Sequence, residues 1–234
     1  TTRLFRDPAA WYHLVFVWDS ENASAGDRMK IYVNGTEETA FDTDDNPADG
    51  DLSPVLTSGN RTDVGVGNGR YFDGYMAEAT LIDGQAYSAS DFGEFNEDSP
   101  TIWQAKDISG LTFGTSGFWL DFGDSAALGD DVSGNGNDLT VVNLAAVDQC
   151  VDSPTNNFST LNPLDNYWPG AAFSQGNTVV LTASAPYAPN LSTIAMTAGK
   201  WYWEVKPTST TAGDYHLIGV VSTQATAADQ ELGN

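Results

Sequence analysis

The chain is poor in the residues that most often carry chemistry. One of its 234 residues is cysteine, Cys150, so no disulfide can close within it. The fold must then rest on sheet packing, on a bound ion or on other chains. Cys150 has no basic neighbour to activate its thiol. There are two histidines, His13 and His216, and neither lies in a nucleophile elbow or a zinc-type His/Cys cluster. Each reads as structural, because a lone strand histidine has no partner to make it a base. Basic residues are scarce too. Nine stand against 32 acidic ones, a net charge of −23, and so acidic a surface repels phosphate backbones and anionic lipid. Neither nucleic acid nor a membrane is an expected partner. No apolar run approaches a membrane-spanning length, and the opening residues carry no signal-peptide pattern.

What the chain does have is strand signals. The run Trp11-Tyr12-His13-Leu14-Val15-Phe16-Val17-Trp18-Asp19 is almost continuously apolar, aromatic and β-branched, which predicts a strand buried on both faces. Met29-Lys30-Ile31-Tyr32-Val33 alternates and ends in Asn34-Gly35, the strongest short-range signal for a tight hairpin turn. A two-sided strand beside a one-sided hairpin is what two stacked antiparallel sheets require, so the expected class is an all-β sandwich of jelly-roll type.

Further strands are predicted at Val64-Gly65-Val66-Gly67, over residues 75–82, at Phe118-Trp119-Leu120-Asp121-Phe122 and over residues 139–142. Asp7-Pro8 reads as a turn. Ser88-Ala89-Ser90-Asp91 has the spacing of a helix N-cap with an acid in the first turn. Residues 99–117 read as a connector. Polar residues 148–166 form the expected domain boundary, giving a first domain over 1–150 and a second over 151–234. The second holds strand signals at residues 178–182, Trp201-Tyr202-Trp203-Glu204-Val205 and 217–221, with none over 225–234. Three strands are too few for a stable sandwich, so the chain is expected to be part of a longer polypeptide.

Three constellations are candidates for chemistry. Asp130, Asp131, Ser133, Asn135, Asn137 and Asp138 place oxygen ligands near alternate positions with glycines between, the requirement for wrapping Ca²⁺ with short side chains. Such Asx-Gly strings also make ordinary turns by bonding their own backbone. Tyr71, Phe72 and Tyr75, with Asn68 and Asp73, have the chemistry of a glycan site, aromatic rings for the apolar sugar face and polar groups for its hydroxyls. The alternative for each ring is a place in a strand core. Asp121 and Asp124 are a carboxylate pair, but the Glu-x-Asp-x-x-Glu run of sandwich-fold glucanases is absent, which argues against an enzyme. Gly65-x-Gly67-x-Gly69 lacks the helix that a phosphate loop needs and reads as strand and turn. Glycosylation triplets occur at Asn22, Asn34, Asn60, Asn157 and Asn190; in a chain this rich in Asn, Ser and Thr they read as coincidence.

Several of these runs together resemble a known family. The residue 11–19 strand followed by Ile31-Tyr32-Val33-Asn34-Gly35 resembles the later half of laminin G-like domains of the concanavalin A-like lectin/glucanase superfamily. Phe72-Asp73-Gly74-Tyr75-Met76-Ala77-Glu78, with Ile82-Asp83-Gly84-Gln85-Ala86 and Ser90-Asp91-Phe92-Gly93-Glu94-Phe95, looks like the closing segment of that domain in tailed-bacteriophage structural proteins. Residues 131–139 and 152–163 are similar to the linker of those phage proteins. Gly199-Lys200-Trp201-Tyr202-Trp203-Glu204-Val205 and Ile218-Gly219-Val220 resemble the first half of a SPRY domain. The resemblance implies a non-enzymatic virion component, a tail fibre, head fibre or capsid decoration. It would work among other virion chains as a homo-oligomer, a trimer being one form, and would bind a host-surface glycan or protein. The rival readings are a purely structural virion protein and a polysaccharide-active enzyme.

Overall fold

The computed structural model describes residues 1–7, 10–53, 55, 61–166, 171–181, 189–209 and 216–221. Among these there are thirteen strands, one α-helical turn and two 3-10 turns, so the chain is all-β. It divides into two compact units, Thr1–Asn157 and Phe158–Asn234.

The first unit begins with a three-stranded antiparallel sheet. β1 (Leu14–Trp18) pairs with β2 (Met29–Val33), Leu14 opposite Val33 and Trp18 opposite Met29, and β2 pairs with β3 (Thr36–Glu37). The turn between β2 and β3 is the predicted Asn34-Gly35, both residues at positive φ (48° and 74°), the conformation of a type I′ hairpin. Asn34 also locks the start of β1: its Oδ1 accepts from His13 N–H and its own N–H donates to His13 O, both at 2.8 Å. β1 is not buried on both faces as its composition suggested. Val15 is buried, whereas Leu14 and Phe16 are 45% and 69% exposed. Apolar composition marks a strand's willingness to be covered on two sides, and no described element lies over this face.

β4 (Val66–Gly67) and β5 (Arg70–Tyr71) form a second hairpin, turned by Asn68-Gly69, again at positive φ (54° and 72°). β6 (Ala79–Leu81) is shorter than the strand expected over 75–82. The helical turn α1 (Ala89–Phe92) lies where Ser88 announced it: the Asp91 carboxylate accepts from both the N–H and the hydroxyl of Ser88, each at 2.8 Å. β7 (Gly93–Phe95) pairs with β8 (Trp103–Ala105), so the stretch read as a connector contains a strand. β9 (Phe118–Leu120) falls inside the predicted run and pairs with β6.

The core of this unit is Val15, Val33, Ala89, Ile108, Phe113, Phe118, Leu120 and Leu128. Trp103 ties its ends together. Its ring lies against Gly35 and Gly93, where an added Cβ would fall 2.1 and 2.5 Å from ring atoms. Its Nε1–H donates to His13 Nδ1 at 3.1 Å, and Phe95 meets it edge-on at 5.0 Å. At the other end of the sheet Arg3 and Thr1 hold the buried Glu38 carboxylate and keep its pKa below the usual range. Residues 139–142, expected as a strand, join no ladder; Leu139 N–H instead bonds Gly129 O at 2.8 Å.

In the second unit β10 (Leu161–Asn166) pairs with β13 (Asn190–Ser192), and β11 (Ala172–Ser174) pairs with β12 (Val179–Leu181), inside the strand expected at 178–182. Residues 201–205 and 217–221 do not form the strands their composition predicts. They join no ladder, and their large side chains, Tyr202 most of all, are exposed. A strand requires a neighbour for its backbone groups, and none is present among the described residues. Pro8 of the predicted turn, the triplet at Asn60, Thr182 and residues 225–234 lie outside the described residues.

Candidate functional site

The rings proposed for sugar binding sit on the β4–β5 hairpin and the segment leaving it. The hairpin's own bonds hold it in shape: Val66 opposes Tyr71, Gly67 opposes Arg70, and Phe72 N–H donates to Gly65 O at 2.8 Å. Asn68 is a turn residue, its side chain free to face solvent beside the strand ends. Tyr71 is 81% exposed and Phe72 54%, and Tyr75 and Met76 are also open to solvent. The alternative place for these rings, a strand core, does not apply. The Phe72 ring leans over Gly74, where an added Cβ would lie 2.9 Å from it, so a residue without a side chain keeps the ring down against its own loop. Asp73, between them, is exposed. The result is a row of aromatic faces presented to solvent with short polar groups beside it.

A second cluster was not visible as a motif. Continuing the β6–β9 register, in which Ala79 opposes Leu120, places Glu78 across from Asp121, on the face that carries Thr80 and Trp119. Burial raises the pKa of Glu78, and the nearby carboxylates of Asp121 and Asp107 raise it further. Trp119 Nε1 is buried without a hydrogen bond of good geometry, and the Glu78 carboxyl is the polar group that reaches toward it. Phe113 stacks on Trp119 at 6.1 Å, the rings 7° from parallel. The Asp121–Asp124 pair picked out from the sequence has local duties instead. Asp121 Oδ1 accepts from Gly123 N–H at 2.9 Å and Asp124 Oδ1 from Ala126 N–H at 2.8 Å, each an Asx turn.

The 130–138 loop is assembled around Asp131, which is buried. One of its carboxylate oxygens accepts from the N–H groups of Trp119 (2.8 Å) and Ser133 (3.0 Å), and the other from Asn137 N–H (2.9 Å). These donors hold its pKa down against the effect of burial. Asp138 Oδ1 accepts from Asp131 N–H, and Ser133 Oγ from Asn135 N–H. Asn135 and Asn137 donate their amides outward, to the carbonyls of Gly114, Thr115 and Gly117. This is the Asx-turn alternative carried through: Asp131, the central carboxylate, faces positive N–H dipoles and not the open coordination shell a Ca²⁺ ion needs. Asp130 is exposed and does not converge with it. Among the described residues no three acidic, histidine or cysteine side chains come together in a way that could hold a metal. The calcium fit expected from spacing is therefore poor; spacing sets where oxygens lie along the chain, while the turns decide where they point.

The remaining chemistry-bearing residues have structural surroundings. His13 is half-buried, burial lowers its pKa, and its Nδ1 is the acceptor for Trp103, so the ring is held neutral. His216 is exposed, its Nε2 3.2 Å from Ser209 O. Burial pushes the Cys150 thiol up, which makes it less reactive. No helix among the described residues is long and apolar enough to cross a membrane.

No curated protein and no solved structure matches the chain. Residues 2–91 do match a family model, that of the concanavalin A-like lectin/glucanases superfamily. The match ends inside α1, yet β7, β8 and β9 lie beyond it and supply Trp103 and the partner of β6. The sheets, the core and the matched segment agree: residues 2–91 carry a concanavalin A-like lectin/glucanase domain in an all-β chain.

Proposed function

We propose that this chain is a non-enzymatic carbohydrate-attachment protein that binds surface glycans through the aromatic row Tyr71, Phe72 and Tyr75, with Asn68 and Asp73 meeting sugar hydroxyls. The single observation that carries this reading is the exposure of Tyr71, 81%, on a hairpin fixed by its own turn. A ring that large is held in water at a cost unless something apolar covers it, and the hydrophobic face of a pyranose is such a cover. The lectin-like class of residues 2–91 supports the same reading. The resemblance of the linker and of residues 199–205 to phage structural proteins places the chain, in this proposal, on the outside of a virion. There, many copies displayed together turn weak sugar contacts into firm attachment.

The test is a glycan array probed with the chain and with Tyr71→Ala. A bound sugar whose affinity falls at least about tenfold in Tyr71→Ala, at unchanged melting temperature, is the expected result; base–aromatic and sugar–aromatic contacts of this kind are worth on the order of 1–1.5 kcal/mol. Because the 130–138 loop is closed by hydrogen bonds, chelator is expected to leave binding unchanged. No binding to any glycan, or equal binding by Tyr71→Ala, removes the reading and leaves the purely structural one.

A second reading, a polysaccharide-cleaving enzyme, is favoured by one observation. Glu78 has a raised pKa opposite Asp121, the division of labour an acid and a base require. Hydrolysis of a polysaccharide that is lost in Glu78→Gln would establish it.

A further inference from the structure

The outer edge of β1 is open and built to pair. In the β1–β2 ladder the bonded positions are the odd ones, as Asn34 N–H to His13 O and Asp19 N–H to Arg28 O bracket it at the two ends. The N–H and C=O groups of Leu14, Phe16 and Trp18 therefore point away from β2, and no described residue bonds them. Nothing along this edge discourages a neighbour: Leu14–Trp18 has no charge, no proline and no bulge, the devices by which proteins usually blunt an exposed strand.

We propose that two copies of this chain associate through antiparallel pairing of β1 with β1, joining two three-stranded sheets into one of six strands. The edge is self-complementary about Phe16. With Phe16 on the two-fold axis, Phe16 of one copy meets Phe16 of the other, Leu14 meets Trp18, and Val15 meets Val17. Every outward N–H of Leu14, Phe16 and Trp18 then faces an outward C=O of the same three residues. The cross-strand pairs so formed are aromatic–aromatic and aromatic–aliphatic, the pairs that stabilise sheets best. At the ends of the paired stretch Asp19 lies across from His13, an acid against an imidazole, so no like charges meet although each chain carries a net charge of −23. Such an isologous contact closes at two copies. It also shelters the Leu14 and Phe16 side chains, which are exposed in the single chain. The inference goes beyond the glycan reading and stands whether or not the aromatic hairpin binds sugar.

The experiment is light scattering on the chain and on two single variants of the axial residue. The parent is expected at twice the mass of one chain. Phe16→Lys and Phe16→Glu each set two like charges face to face on the axis and are expected at the mass of one chain with unchanged circular dichroism. Mixed in equal amounts they are expected to return to the two-chain mass, because lysine then meets glutamate; only a residue that pairs with itself behaves this way. A monomeric parent, a dimeric Phe16→Lys, or a mixture that stays monomeric overturns the proposal. Amide exchange on the parent reads the same register without a variant. The N–H groups of Leu14, Phe16 and Trp18 are expected to be protected in concentrated solution and to exchange freely on dilution, and equal exchange at both concentrations overturns it.

Discussion

The chain makes the same turn twice and uses it in opposite ways. Asn34-Gly35 and Asn68-Gly69 are both Asn-Gly, both type I′, both at the tip of an antiparallel hairpin. The first is roofed by Trp103, whose ring lies where a Gly35 Cβ would be. Around Gly69 an added Cβ meets nothing within 4 Å. One hairpin is thereby part of a core, and the other is a free-standing platform for Tyr71. Local sequence decides that the chain turns; a residue 68 positions away decides whether the turn is structure or surface.

Removing the roof is the largest way to break this contrast. Trp103→Ala deletes a large ring, its edge-on contact with Phe95 and its bond to His13, and is expected to destabilise the first unit by about 3–5 kcal/mol. Thermal unfolding followed by tryptophan fluorescence measures it. A cost under about 1 kcal/mol would mean that Trp103 covers Gly35 without holding it. The glycan array should register no change in Tyr71-dependent binding under conditions where the variant remains folded, since the two hairpins share no contact.

A paired substitution sharpens the same point. Gly69→Ala bears only the strain of positive φ, about 1–2 kcal/mol for a residue with a Cβ. Gly35→Ala bears that strain and must also displace the Trp103 ring, so its cost is expected to be roughly twice as large. Denaturant midpoints of the two variants give the difference directly. Equal costs would show that the ring yields freely and that the two turns are alike after all.

How much of this could be read from the sequence follows the same division. The Asn34-Gly35 turn, the Ser88 cap with Asp91, and β9 at Phe118–Leu120 were legible because each is settled within a few residues. The 99–117 stretch was not: Trp103 is isolated among polar residues, and only its distant glycines, Gly35 and Gly93, give it a strand's role. The 130–138 loop was legible as a string of oxygens but not as a geometry. Whether Asp131 faces a cation or three N–H groups depends on Trp119 arriving from β9. Residues 201–205 mark the opposite limit, where strong strand propensity in Trp201, Tyr202 and Trp203 produces no ladder because a strand's stability belongs to its partner. The aromatic row was found by residue type, but its exposure was a matter of what did not fold over it.

The smallest expected effect concerns the face that neither hairpin touches. Glu78 stands opposite Asp121, and burial with that like charge raises its pKa above the usual carboxylate range. In acid, below the ordinary carboxylate value, Glu78 is protonated folded or unfolded and costs nothing. As the pH climbs, the unfolded chain ionises first while the folded one resists, so stability falls through the window up to the raised folded value. Glu78→Gln keeps an acceptor for Trp119 and removes the charge. It is expected to raise stability by about 0.5–1 kcal/mol at neutral pH, the scale of a like-charged cross-strand pair, and to match the parent in acid. Melting temperatures of both across this range check it. A gap that opens toward acid instead would mean that the Glu78 carboxylate is stabilised as an anion, and with that sign the pair would lose the one property that recommends it as an acid and a base.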